Sequence, residues 1–306
     1  MKEFTLKSAF DNLDIAVAMV EPQETPKGIL QIVHGMVEHK YRYYEFMEWM
    51  ASQGYVCIAH DHRGHGGSIK DKNDLGYMYS GGWKAMVEDT RMVNRYVHEL
   101  YPDLPLTLLG HSMGSMVVRA FAKRYDKDID ALCVVGCPAN NHAKMIGYAM
   151  SWFNAHLRGD HFRSKLIYRL TNGVFNKKFK NEPWKNGWIC SDQEVMAKIE
   201  SDPLCGFIFT ANGFMNLMML VRDCYSTRGW ALAKPDMPVV FLSGAEDPCR
   251  KSDRELVSAT ESIRKAGYRN VSLKTYPGMR HHIILETEHM KVWNDIKNLL
   301  QFGNIS

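Results

Sequence analysis

The residues best suited to chemistry in this 306-residue chain are Gly110-His111-Ser112-Met113-Gly114, a G-x-S-x-G pattern. At a frequency of about 7% for each fixed residue, a chain of this length holds roughly 0.1 such matches by chance. The setting adds information: the apolar run 106–109 reads as a strand and 115–124 as a helix. A serine at a sharp strand–turn–helix corner exposes its hydroxyl for attack on an acyl carbon. Glycine at 110 and 114 removes side chains that would collide inside so tight a turn. The helix behind Ser112 supplies a free N–H and the positive end of its dipole.

A serine hydroxyl is a weak nucleophile until a base takes its proton, and that base needs an orienting carboxylate. In a strand–helix alternation the acid and then the histidine are expected downstream, each just after a strand. The run 239–243 leads into Gly244-Ala-Glu-Asp247-Pro, and 271–276 leads into Pro277-Gly-Met-Arg-His281-His282. Asp247 is preferred to Glu246 because it lies one step further into its loop. Position alone leaves both His281 and His282 eligible. The oxyanion of the tetrahedral intermediate requires preorganised N–H donors. Met113, directly after the serine, is one, and the loop His34-Gly35-Met36-Val37-Glu38-His39 offers Met36 as the second.

The elements that must position these groups follow from the apolar pattern. Runs 3–9 and 13–20 predict an antiparallel hairpin about Asp11-Asn12. Strands are expected at 28–34, 55–60, 106–109, 131–136, 238–243 and 271–276. Helical spacing occupies 41–52, 83–100, 115–124, 252–266 and 288–300. This alternation predicts an α/β fold, a mostly parallel central sheet with helices on both faces. The alternation stops over 138–235, which has helical, aromatic and basic segments and no convincing strand. That stretch reads as a helical cap inserted into a core made of 1–137 and 236–306. Its Met- and Phe-rich segment 207–221 offers Phe207, Phe214 and Met218 as acyl-chain contacts, against the competing use of packing the cap on the core.

Composition excludes several classes. The chain is 45% hydrophobic and 24% charged, as globular proteins are. A net charge of +4 is too mild for a nucleic-acid-binding domain. No run of 18 apolar residues and no signal-peptide core are present, so no integral membrane association is expected. Seven scattered cysteines without a C-x-x-C pair suggest reduced thiols in a cytoplasmic setting. His60-Asp61-His62-Arg63-Gly64-His65 invites a metal reading, but no further ligand grouping follows, and a hydrogen-bonded turn is the expectation. No phosphate-binding glycine loop exists, and neither cofactor nor metal is expected. The basic excess is local: 138–235 holds 13 Lys/Arg against 7 Asp/Glu, and 156–188 holds 8 against 2. A solvated face or a basic lid attracting anionic lipid substrates would each place Arg163, Lys177 and Lys178 at the surface.

Taken in order, HGMVEH, DHRGHGGS, GHSMGS, SGAEDP and YPGMRH resemble the α/β-hydrolases of the monoacylglycerol lipase and lysophospholipase group. The similarity covers the catalytic core, about two thirds of the chain, while the cap matches only in position and character. The resemblance implies Ser112 as nucleophile, Asp247 as acid and His281, rather than His282, as base. It supports Met36 and Met113 as oxyanion donors and a metal-free DHRGHGGS turn. His282 is a departure, since relatives often carry Glu after the catalytic histidine. The implied activity is hydrolysis of a small-molecule carboxylic ester, a monoacyl lipid first and a short-chain or aryl ester second. A proline-iminopeptidase-like peptidase would need acidic groups in the cap, which is basic. A non-catalytic ligand-binding module would not need the triad, and a haloalkane dehalogenase would need Asp in place of Ser112.

Overall fold

Successive residues of each central strand feed opposite apolar layers, as the two-residue period of a strand requires. In β3 (Gly28–Val33), Ile29 and Val33 join one layer while Leu30 and Ile32 join the other. The computed structural model describes residues 1–171 and 173–302, so the last four residues of the expected core span lie outside the described residues. Eight strands form one sheet in the order β1-β2-β4-β3-β5-β6-β7-β8. Strands β1 (Lys2–Lys7) and β2 (Asp14–Val20) are antiparallel and make one edge. Strands β3, β4 (Tyr55–His60), β5 (Leu106–His111), β6 (Ala131–Val135), β7 (Val239–Gly244) and β8 (Val271–Tyr276) run parallel. All six residues of β3, β4, β5 and β7 are buried, which is why these strands are largely apolar.

Helices α1 (Tyr44–Ser52) and α9 (His289–Phe302) cover one face of the sheet. Helices α2 (Gly82–Leu100), α3 (Met113–Tyr125) and α8 (Asp253–Ala266) cover the other. The chain leaves β3 toward β4 on one side and returns to place β5 on the other side of β3. Such a reversal opens a crevice beyond the carboxyl ends of the strands. The loops after β3, β5, β7 and β8 all emerge at that end.

Between β6 and β7 the chain forms α4 (Lys144–Arg158), α5 (Lys165–Thr171), α6 (Gln193–Ser201) and α7 (Ala211–Cys224), with no strand among the described residues. Asp192 caps α6 and Thr210 caps α7 through their side-chain oxygens. Helix α7 is not a peripheral element. Its Phe214, Leu217, Leu220 and Val221 share an apolar cluster with Met116 and Phe121 of α3. The rest of the insertion is stitched to the carboxyl end of the parallel strands: the His282 N–H donates to the Ile189 carbonyl at 2.7 Å, and the Gly206 N–H to Val37 at 3.0 Å.

Candidate active site

Ser112 follows β5 directly and has φ 52° and ψ −116°, a conformation that costs a side-chain-bearing residue about 1–3 kcal/mol. Its surroundings impose that conformation. The Ser112 N–H donates to Val135 at 2.9 Å, and the Ser112 carbonyl accepts from the Ser115 hydroxyl at 2.6 Å. The flanking glycines are required by close backbone approach: a Cβ on Gly110 would lie 2.3 Å from the Gly114 carbonyl, and one on Gly114 would lie 2.1 Å from that of Val33. Helix α3 begins at Met113, two residues earlier than its apolar pattern predicts, so its amino end abuts the serine.

Ser112 Oγ is 2.8 Å from His281 Nε2, and His281 Nδ1 is 2.9 Å from Asp247 Oδ2. Asp247 enters from the loop after β7, where its Oδ1 also accepts the Cys249 N–H at 2.8 Å. With Nδ1 donating to the carboxylate, Nε2 is free to accept the serine proton. His281 and Asp247 are buried, and the Trp188 ring of the insertion lies 5.0 Å from the imidazole.

Met113 is the first residue of α3, so its N–H has no acceptor within the helix. Among the described residues the Met36 N–H meets no protein acceptor either. The Gly35–Met36 peptide is held from both ends. His34 Nε2 accepts from the His62 N–H at 2.9 Å, which places the ring proton on Nδ1, 2.7 Å from the Gly35 carbonyl. Across a trans peptide, fixing that carbonyl sends the Met36 N–H to the opposite side. The Gly35 N–H donates in turn to Glu38 Oε1 at 2.5 Å. The histidine-rich segment after β4 thereby serves the loop after β3. Its rings are buried and neutral: burial lowers His34 to about 3 and both His60 and His65 to about 4. Asp61 in the same turn is taken by Lys40 Nζ at 2.9 Å and by the Gly67 N–H at 2.8 Å.

Glu38 is a residue that motif spacing does not single out. Besides Gly35, its Oε1 accepts from Tyr43 at 2.9 Å and His111 Nδ1 at 3.0 Å, and its Oε2 lies 3.2 Å from both His282 Nε2 and Arg42 Nε. Burial alone would raise this carboxyl, but His282 and His111 hold it well below its usual range. His282 itself is pushed down to about 3, by burial and then by neighbouring His111. His282 therefore supports the loops from beneath, while His281 faces the serine.

Two cavities meet at Ser112. One, of about 60 Å³, includes Arg42, Glu38, Tyr168 and Asn186 in its lining. The other, of about 240 Å³, is mostly apolar and runs past Met36, Met113, Met116, Leu217 and Met218 to Leu170 and Val174. Met218 thus faces the larger cavity. Phe207 and Phe214 do not line it: Phe207 packs on His65 and Phe209, and Phe214 on Phe209. Arg163 is also placed differently from a surface charge. Its guanidinium donates to the backbone carbonyls of Leu75 and Asn73, both at 2.7 Å, and of Ile208, while Lys177 and Lys178 are exposed.

The chain is 25% identical over 278 residues to a monoacylglycerol lipase of Mycolicibacterium smegmatis, covering 90% of this chain and 88% of that one. It is 25% identical over 291 residues to a monoglyceride lipase homolog of monkeypox virus, covering 92% and 91%. A thermostable carboxyl esterase from Bacillus coagulans, solved with glycerol, has the same fold: the TM-score is 0.86 at 23% identity, over 98% of each chain. Residues 24–288 match the family described as Hydrolase_4, serine aminopeptidase S33, and the chain belongs to that family of α/β-hydrolases.

Proposed function

We propose that the protein is a serine ester hydrolase that releases fatty acid from monoacyl lipids, monoacylglycerols or lysophospholipids, through an acyl-enzyme. His281 removes the Ser112 proton as Oγ attacks the ester carbonyl, and Asp247 holds the imidazole tautomer and stabilises the imidazolium. The Met36 and Met113 N–H groups receive the oxyanion. His281 then protonates the leaving alcohol and activates the water that frees the acid. Residues 138–235 act as a cap that frames the acyl site.

The observation that carries the lipid assignment is the continuity of the larger cavity with an exposed apolar face. Leu170 and Val174 belong to both. Helix α4, which packs against α5, exposes Met145, Ile146, Trp152, Phe153 and Leu157, spaced as one helix face, and α5 adds Leu166. Patches of this kind suit contact with lipid more than with water. Lys165, Arg169, Lys177 and Lys178, in the same stretch of chain as Leu170 and Val174, are exposed. No helix among the described residues is long and apolar enough to cross a membrane.

An aminopeptidase would need a free carboxylate to hold a substrate amine. The only acidic side chain lining either cavity among the described residues is Glu38, already paired with Arg42. The test is turnover of nitrophenyl acetate, octanoate and palmitate beside a monoacylglycerol and an aminoacyl-naphthylamide. Rising kcat/KM with chain length supports the assignment. Sharp preference for acetate, or cleavage of the amide substrate alone, contradicts it.

A further inference from the structure

Cys249 Sγ, an Asp247 oxygen and a His281 ring nitrogen converge, with their ligand atoms within 4.8 Å of one another and all three residues buried. The hydrolytic steps make no use of the thiol. The Cys249 backbone N–H donates to Asp247 Oδ1 at 2.8 Å, and His281 Nδ1 donates to Oδ2 of the same carboxylate at 2.9 Å. One carboxylate thus gathers a sulfur and a ring nitrogen about a shared point, and S, N and O together are a zinc donor set. Cys249 also lines the larger cavity beside Met36, Met113, Met116 and Met218. A cation that prefers sulfur meets these thioethers in a lining that also carries Lys251.

We propose that Asp247, Cys249 and His281 form an inhibitory site for a thiophilic divalent cation such as Zn²⁺, entered through the larger cavity; the inhibition rests on the catalytic roles given above. On binding, the Cys249 S–H bond breaks, a sulfur–metal bond forms and the proton leaves to solvent. The His281 proton moves from Nδ1 to Nε2 as Nδ1 becomes a ligand. Nε2 then carries hydrogen and cannot take the Ser112 proton. The charges of cation, thiolate and carboxylate sum to zero, so no net charge is buried, and a water from the cavity completes a tetrahedral shell.

Two other groups of potential ligands, Glu38–His111–His282 and His39–Asp202–Cys205, are disfavoured by one residue. The Arg42 guanidinium lies 3.2 Å from Glu38 Oε2 and 4.0 Å from Cys205 Sγ, where it opposes a cation in both. In the first, moreover, the carboxylate already holds four hydrogen-bond partners besides Arg42.

The test uses the whole protein, freed of metal with a chelator, in two measurements. Zn²⁺ should inhibit ester hydrolysis, with recovery on adding chelator. Cd²⁺ should produce the ultraviolet thiolate-to-cadmium band. In Cys249→Ala the zinc concentration for half-inhibition should rise by roughly tenfold or more, since losing even an outer-shell partner weakens metal sites by that much. The Cys249 share of the cadmium band should disappear. Cys249→Ser replaces the alanine variant if a melting curve shows the latter unfolded. Equal inhibition of wild type and variant, or an undiminished band, overturns the proposal. The band is read without turnover, so a protein that hydrolyses no ester would refute the hydrolase assignment while still deciding the metal site.

Discussion

Glu38 Oε1 and His111 Nδ1 lie 3.0 Å apart, which ties the loop after β3 to the residue just before Ser112. The same carboxylate holds the Gly35 N–H and His282, so one buried side chain spans the loops that carry Met36, Ser112 and His281. Replacing it should loosen all three. Glu38→Ala leaves several buried donors unpaired, at about 1–3 kcal/mol for each group stranded. We expect kcat to fall by roughly 10–100-fold, with Glu38→Gln between the two. Wild-type kcat in a folded Glu38→Ala protein would contradict this account.

Gly114 sits where α3 crosses the end of β3, and a methyl there would press on the Val33 carbonyl. Gly114→Ala should therefore cost about 3 kcal/mol or more, at the severe end for single substitutions. Urea unfolding measures it. A change below about 0.5 kcal/mol would mean the crossing is looser than described.

The buried histidines under the oxyanion loop make stability fall in acid. Their folded values lie near 3 for His34 and near 4 for His60 and His65, below the 6.5 of an exposed ring. Above pH 6.5 the rings are neutral whether the chain is folded or unfolded, so stability is fully present there. As pH falls from 6.5 toward 4, the unfolded chain takes up protons that the folded one refuses. Each ring then removes up to about 1.4 kcal/mol per pH unit. The urea midpoint should drop steeply across that window, and a midpoint flat from pH 7 to 4.5 would contradict the buried neutral cluster.

Met218 lines the larger cavity, whereas Phe214, one helical turn earlier, packs in the core. Met218→Trp should shorten the acyl chain the enzyme prefers, lowering kcat/KM for palmitate by about tenfold or more against octanoate. Phe214→Ala should instead destabilise the fold by about 3–5 kcal/mol, as core truncations of this size do. An unchanged chain-length profile for Met218→Trp would remove the larger cavity from the acyl site.

These two residues also show where sequence stops informing. Each member of the Ser112–Asp247–His281 constellation follows a parallel strand, so apolar runs and short loops announce it in order. Strands β3, β4, β5 and β7 are legible because burial on both faces makes them largely apolar, whereas β8 (VSLKTY) is only partly buried. Phe214 and Met218 share one Met- and Phe-rich helix, and which of them faces substrate depends on the rotation of α7 against α3. Composition carries no such information. Glu38 escapes notice for another reason: its partners His111 and His282 stand 73 and 244 positions away. Arg163 counts as a surface charge in any tally of the insertion, yet backbone carbonyls consume it. Only chain geometry makes a carbonyl a partner.

The central claim is that Ser112, activated by His281, attacks the ester carbonyl. The most direct measurement is covalent capture by a fluorophosphonate, with the modified residue located by mass spectrometry. The account predicts one phosphonylated site, Ser112, in the wild type, labelling slowed severely in His281→Gln, and none in Ser112→Ala. Equal labelling of wild type and Ser112→Ala would contradict it.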